Sequence, residues 1–281
     1  SSNRIKAGRA MSGDLKFGIL GGAGRMGQMN IRQILMTDGC VLAGATSRPG
    51  SDVVGQDAGT LAGVGSLGVA ITDDTAAMIA GVDVVVDFTL PDVAVEAAQL
   101  AAQAGTAIIA GTTGLTPAQE AEYEKVARHV PVVRAANTSV GVTLLIALAE
   151  QAAKLLGVEY DIEVLEMHHR HKIDAPSGTA LALGEGLARG RGVNLEDVKQ
   201  AVRDGHTGER KAGEIGFATL RGGDVAGEHE VIFAAEGERV LLGHKASSRQ
   251  VFAAGAIRAA LWTKGQSPGL YNMRHVLGFE N

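Results

Sequence analysis

The chain has 281 residues, 46% of them hydrophobic and 20% charged, enough to bury one large core or two modest ones and too apolar for a disordered polypeptide. Its 26 basic and 31 acidic residues leave a net charge of −5, which opposes general attraction to nucleic acid or an anionic membrane and points to small-molecule partners. Cys40 is the single cysteine, so neither an internal disulfide nor a cysteine-based zinc site can form, and a reducing, cytoplasmic setting is expected.

Residues 1–10 carry Arg4, Lys6 and Arg9 with no apolar stretch or small-residue cleavage site behind them, and are expected to be a leader ahead of Met11, not a secretory signal. Short apolar runs then alternate with helix-period segments. Leu15 to Leu20, Val41 to Thr46, Val82 to Phe88, Ala107 to Ala110 and Val130 to Arg134 read as strands. Gln28 to Met36, Pro91 to Ala104 and Thr116 to Arg128 read as helices, the last two with a proline near the start, where its missing N–H costs little. Alternating β and α elements predict a parallel, doubly wound sheet. Val140 to Leu156 is a long apolar helix, interrupted by Glu150, Gln151 and Lys154 and so too polar for a membrane span.

Beyond that helix the pattern changes. A strand from Asp161 to His168 leads to a helix near Ser177 to Arg189, followed by strand-like runs Glu214 to Arg221, Glu228 to Ala235 and Arg239 to Ala246. Gly222-Gly223-Asp224 and Glu236-Gly237 separate these runs as hairpin connections would. A second, α+β domain is expected, with the closing helix Gln250 to Lys264 returning to the first.

The first strand runs into Gly21-Gly22-Ala23-Gly24-Arg25-Met26-Gly27. The loop satisfies GxGxxG through Gly22, Gly24 and Gly27, and GxxGxxG through Gly21, Gly24 and Gly27. In either register the glycines allow a tight turn and close approach of backbone to a pyrophosphate at the next helix's positive end. So glycine-rich a chain matches the bare pattern by chance. The strand before it and the helix after it give the match its weight, against the alternative of a merely structural turn. About twenty residues on, where an NAD site places an acidic residue on the ribose, stand Ser47 and Arg48, a pair suited to the 2′-phosphate of NADPH or, equally, to a solvated loop. Phe88-Thr89 and Gly111-Thr112-Thr113-Gly114 follow strand ends, where ligands of open α/β sheets lie, so Thr112 and Thr113 are candidate nicotinamide contacts.

Glu166 to Thr179, EMHHRHKIDAPSGT, is the densest constellation. Three imidazoles, a guanidinium and an ammonium fall between His168 and Lys172 on an acidic protein, which favours an anionic substrate. A helix starting near Ser177 adds oriented N–H donors from Ser177, Gly178 and Thr179, suited to a carboxylate. Histidine is a natural acid or base near neutral pH. The competing readings are a solvated basic loop and an HHxH metal site. The second is poor, because His168 and His169 point to opposite faces of an extended segment and no cysteine completes a set. No metal is expected.

These motifs closely resemble the dihydrodipicolinate reductases of bacterial lysine and diaminopimelate biosynthesis. The resemblance rests on GGAGRMG at 21–27, DFT at 87–89, AGTTG at 110–114, AANTSVG at 135–141, HHRHKIDAPSGTA at 168–180 and PGLYNM at 268–273. It implies an α/β, Rossmann-like dinucleotide domain, residues 11–138 completed by 249–281, and a substrate domain, 139–248, whose open mixed sheet helps assemble a homotetramer. It implies NADPH- or NADH-dependent reduction of 4-hydroxy-tetrahydrodipicolinate, a small cyclic dicarboxylate, to tetrahydrodipicolinate. By matching positions, His168 is the proton donor, Lys172 a second donor and substrate ligand, and His169, Gly178 and Thr179 further ligands. Gly21, Gly22, Ala23, Gly24, Arg25, Met26, Arg48, Gly111, Thr112, Thr113, Ala135, Ala136, Asn137 and Thr138 would hold the cofactor. The chain departs from many members at Ser47, where they carry an acidic residue, and at Thr138, where they carry an aromatic or larger apolar one. Two alternatives remain on the residues alone: a dinucleotide-sensing regulator, which would not need the His and Lys cluster, and another amino-acid or semialdehyde dehydrogenase on the same fold.

Overall fold

The computed structural model describes residues 13–280, so the expected leader lies outside the described residues. The chain divides into two compact units, one comprising the residues through Ser139 together with Gln250 onward, the other Val140–Arg249.

The first unit is built from β1 (Leu15–Ile19), α1 (Arg25–Met36), β2 (Cys40–Thr46), α2 (Ala58–Leu61), β3 (Ile71–Thr72), α3 (Thr75–Ala80), β4 (Val84–Asp87), α4 (Pro91–Ala104), β5 (Ala107–Ala110), α5 (Pro117–Val126) and β6 (Pro131–Arg134). The second unit contributes α6 (Val140–Leu155), β7 (Asp161–His168), α7 (Gly178–Arg191), α8 (Leu195–Val198), β8 (Lys199–Gln200), β9 (Ile215–Arg221), β10 (Gly227–Ala235) and β11 (Glu238–Ala246). The chain then returns to the first through α9 (Gln250–Thr263), β12 (Gly269–Tyr271) and α10 (Met273–Val276).

Seven parallel strands in the order β12-β6-β5-β4-β1-β2-β3 form the first unit's sheet. Strands covered on both faces should be apolar throughout, and every residue of Val84–Asp87 and Ala107–Ala110 is buried. On one face Val85, Ile108 and Val132 meet Ala97, Ala98 and Ala101 of α4 and Tyr123 and Val126 of α5. Alanine at these α4 positions lets the helix lie close to the strands. Pro91 and Pro117 occupy first-turn positions as expected, and Thr116 and Gln119 close a capping box on α5.

In the second unit the sheet order is β11-β10-β7-β9-β8. This corrects one reading of the sequence: Gly222-Gly223-Asp224 is no hairpin, because β7 lies between β9 and β10, parallel to the first and antiparallel to the second. Only β10 and β11 pair as a hairpin. One face buries Ile162, Val164, Phe217, Val231 and Phe233 under Leu145 and Ala149 of α6 and Leu183 and Leu187 of α7. The same alternation places Glu166 and His168 on that buried face at the far end of β7. No helix among the described residues is long and apolar enough to cross a membrane.

Candidate active site

The glycine loop joins β1 to α1, which begins three residues earlier than its hydrophobic period suggested. Gly21 sits at φ +67°, a conformation that disfavours any side chain. A Cβ at Gly27 would overlap the Gly21 carbonyl oxygen and lie 2.8 Å from Gly22 Cα, while one at Gly22 would lie 2.9 Å from Ala45 Cβ. Gly21, Gly22 and Gly27 are therefore each required by the turn or its packing, so both readings of the motif describe real constraints. Gly24 caps α1 with no side-chain hydrogen bond. That leaves a helix start fronted by bare backbone, the form of site that accepts a pyrophosphate.

Beside this loop is a cavity of about 290 Å³ lined by Met26, Phe88, Thr89, Gly111, Thr112, Thr113, Ala136, Asn137, Thr138 and Phe252. It lies past the C-terminal ends of β4, β5 and β6, the edge where open α/β sheets take ligands. Seven of the sequence-predicted cofactor residues thus line one cavity: Met26, Gly111, Thr112, Thr113, Ala136, Asn137 and Thr138. Gly21 to Arg25 form the adjoining turn, while Ala135, buried after β6, and Arg48, exposed after β2, do not line it. A Cβ at Gly111 would overlap the Phe88 ring, so glycine there is what lets the ring approach the backbone this closely.

Beneath the cavity lies Asp87, fully buried at the end of β4. Its Oδ1 accepts from the Thr89 amide at 2.8 Å and the Thr89 hydroxyl at 2.6 Å, and its Oδ2 from the Thr112 hydroxyl at 3.0 Å. Burial pushes this carboxyl above its ordinary range against the opposing effect of those donors and of Arg134. Phe252 was not anticipated from sequence. It enters from α9, and its carbonyl accepts the Thr138 hydroxyl at 2.7 Å.

In the second unit His168 is the last residue of β7, with its side chain 11% exposed. Its Nδ1 lies 2.6 Å from Glu166 Oε2, which also accepts Arg221 Nη1 at 2.8 Å. Glu166 Oε1 accepts the Ser177 amide at 3.0 Å and Arg221 Nη2 at 3.1 Å. Burial alone would raise the Glu166 carboxyl, yet Arg221, His168 and the Ser177 N–H together hold it below the usual range. Arg221 Nη2 also donates to the Asp174 carbonyl at 2.6 Å, and the Asp174 carboxylate takes Lys172 Nζ at 2.8 Å. His168, Glu166, Arg221, Asp174 and Lys172 are therefore links of one chain of contacts.

Ser177 caps α7 through its hydroxyl, which accepts from Ala180 N. The Ser177 amide, expected as a carboxylate donor, is instead spent on Glu166, which leaves Gly178 and Thr179 as the ligand candidates at this helix start. His169 points elsewhere, 3.2 Å from Arg249 Nη2, with its ring 6.3 Å from that of His171. Among the described residues no three His, Cys, Asp or Glu side chains are grouped to hold a metal. Sequence reasoning overlooked Arg221. Its signal is long-range: β9 runs parallel to β7 with Arg221 in register with His168.

A dinucleotide fold joined to a second unit whose sheet ends in a carboxylate-bound histidine describes a nicotinamide-dependent oxidoreductase. Residues 15–138 match the family model for the dihydrodipicolinate reductase N-terminus, and 141–277 that for its C-terminus. The chain is 55% identical over 268 residues to the 4-hydroxy-tetrahydrodipicolinate reductase of Allorhizobium ampelinum, covering 95% of this chain and 99% of that one. It is 54% identical over 265 residues to that of Beijerinckia indica, covering 94% and 98%. The dipicolinate-bound dihydrodipicolinate reductase from Paenisporosarcina sp. TG-14 shares the fold, with a TM-score of 0.73 at 23% identity over 92% of this chain and 97% of that one. The chain belongs to the dihydrodipicolinate reductase family.

Proposed function

We propose that the chain reduces 4-hydroxy-tetrahydrodipicolinate to tetrahydrodipicolinate with NADPH, and more weakly with NADH. The first unit holds the dinucleotide and the second the cyclic dicarboxylate. The observation that carries this reading is the segment from His168 to Thr179. It unites a buried imidazole fixed by a carboxylate, an ammonium in the same contact chain and a helix start, within a chain whose curated relatives are named for this reaction.

The glycine loop and α1 N-terminus take the pyrophosphate, Arg48 the 2′-phosphate, and the walls from Thr112 to Thr138 the nicotinamide end. Bound dinucleotide supplies a hydride. His168 supplies the matching proton from Nε2, since Nδ1 is engaged by Glu166. Lys172, His169, Gly178 and Thr179 hold the carboxylates, with Lys172 drawing charge toward the ring nitrogen. The uncovered face of the second sheet, where Leu220 and Leu241 are about half exposed, supports assembly to a homotetramer, and the single cysteine supports a cytoplasmic setting.

Oxidation of NADPH, followed at its nicotinamide absorbance with freshly generated 4-hydroxy-tetrahydrodipicolinate, tests the reading. Turnover should fall by roughly 10² to 10⁴ in His168→Ala with cofactor binding intact, the usual worth of a positioned acid. No oxidation by the wild-type protein, or an unchanged rate in the variant, would overturn it.

A further inference from the structure

The contacts around His168 reach further than the acid itself. Glu166 is 1% exposed and every approach to its carboxylate is taken by a donor: Arg221 on both oxygens, the Ser177 amide and, at 3.5 Å, the Thr219 hydroxyl on one, and His168 on the other. The proton shared with His168 must then belong to the imidazole, because an ionised carboxylate ringed by donors has none to give.

We propose that Glu166 and Arg221 are a positioning pair that locks His168 as its Nδ1–H tautomer, with Nε2 turned to substrate, and ties that lock to the loop bearing Lys172. The proposal rests on His168 being the proton donor. Arg221 makes the second tie by gripping the Asp174 carbonyl, while the Asp174 carboxylate holds Lys172. A shift of β9 would therefore disturb the acid and the anion ligand together.

The remaining neighbours fit this assignment. On β10, His229 meets the His168 ring edge-on with centroids 5.1 Å apart. Burial, helped by the charges of His168, His244 and Lys172 and opposed by Glu166, brings His229 down to about 4, so it stands neutral beside His168. Its Nε2 lies 3.2 Å from the Ser177 hydroxyl. His229 thus makes no claim on Glu166. On the same strand, Gly227 adopts φ +152°, and a Cβ there would lie 3.1 Å from His168 Nε2. Glycine keeps a side chain off the nitrogen that must reach substrate.

The test is the tautomer itself, read by long-range proton–nitrogen NMR on ¹⁵N-histidine protein where the ring is neutral, with His168→Asn assigning the signals. Wild type should show a protonated Nδ1 and a bare Nε2. In Glu166→Gln the donor-only Arg221 claims the amide oxygen, the –NH₂ faces Nδ1, and the tautomer should invert. kcat should then fall on the order of tenfold to a hundredfold, with NADPH affinity unchanged. Should that variant fail to fold, Glu166→Asp keeps the charge against Arg221 but withdraws it from the ring, and should give mixed tautomers and a reduced kcat. A wild-type His168 protonated mainly at Nε2, or variants that keep the Nδ1–H form or full kcat, would overturn the proposal. The His168→Ala rate judges the acid assignment separately, since the tautomer is read without turnover.

Discussion

Replacing Asp87 separates what its shape contributes from what its charge contributes. In Asp87→Ala the Thr89 amide loses its acceptor at 2.8 Å, whereas the Thr112 hydroxyl retains an alternative in the Thr89 carbonyl at 3.2 Å. One orphaned N–H costs about 1–3 kcal/mol, and the void left by the carboxyl about 1 kcal/mol more, for a loss of about 2–4 kcal/mol. Asp87→Asn behaves differently. Its oxygen can stay on Thr89 while its –NH₂ donates to the Thr112 hydroxyl, which turns its own proton to the Thr89 carbonyl. Every bond is remade without burying a charge, so stability should remain within about 1 kcal/mol of wild type or exceed it. The pH dependence carries the sign. Burial raises the native carboxyl above its ordinary 3.8, so the folded state holds the proton longer than the unfolded one. Wild type should therefore lose stability relative to Asp87→Asn as pH rises from 3.8 toward the raised native value, with the difference level above it. Denaturant unfolding over that range, with NADPH titration of each variant, is the assay. NADPH should bind about tenfold more weakly to the alanine variant, in which the Thr89 and Thr112 walls are unpinned, and near normally to the asparagine one. If asparagine is as damaging as alanine, the ionised carboxylate is needed for itself, and the pinning argument is wrong.

The Arg48 assignment predicts that Arg48→Ala weakens NADPH by roughly tenfold to a hundredfold, the worth of one charge-assisted contact, and barely changes NADH; equal losses by calorimetry would refute it. If Lys172 and the helix start at Gly178 and Thr179 hold separate carboxylates, as proposed, pyridine-2,6-dicarboxylate should compete with substrate on the order of tenfold to a hundredfold better than pyridine-2-carboxylate. Lys172→Met should erase most of that gap at unchanged NADPH affinity. Equal inhibition of the wild-type enzyme by the two acids would contradict a dicarboxylate site.

What could be read from the sequence followed from locality. The parallel sheet announced itself because doubly covered strands carry continuous apolar runs, as Val84-Val85-Val86 and Ala107–Ala110 do, and because Pro91, Pro117 and the Thr116 capping box mark helix starts within a few residues of their partners. Between Ser47 and Gly81 the sequence pattern predicts no helix or strand. The elements there are α2, β3 and α3, of four, two and six residues, too short to display a period. The hairpin misreading has the same root: glycines at 222 and 223 mark a chain reversal but do not say which strand is met on return, and insertion of β7 is a decision of the whole sheet. Phe252 and Arg221 escaped for that reason too. One reaches its site across 114 residues through the Thr138 hydroxyl, and the other is 55 residues from the carboxylate it holds.

Asp87 and Glu166 show how the same structural device is tuned in two directions. Each is a buried carboxylate near the C-terminal end of an interior strand, and each gathers donors at that end of its sheet. Asp87 is met by hydroxyls and an amide, none of which offsets the cost of burying charge, and its carboxyl is pushed up. Glu166 is met by a guanidinium and an imidazole as well, and is held down. The difference suits the two tasks. Pinning Thr89 and Thr112 needs only an acceptor of the right shape, so a neutral amide should serve. In the proposed acid role His168 must carry positive charge before it gives up a proton, which calls for a fixed negative charge beside it, and no neutral isostere should then replace Glu166 as asparagine replaces Asp87.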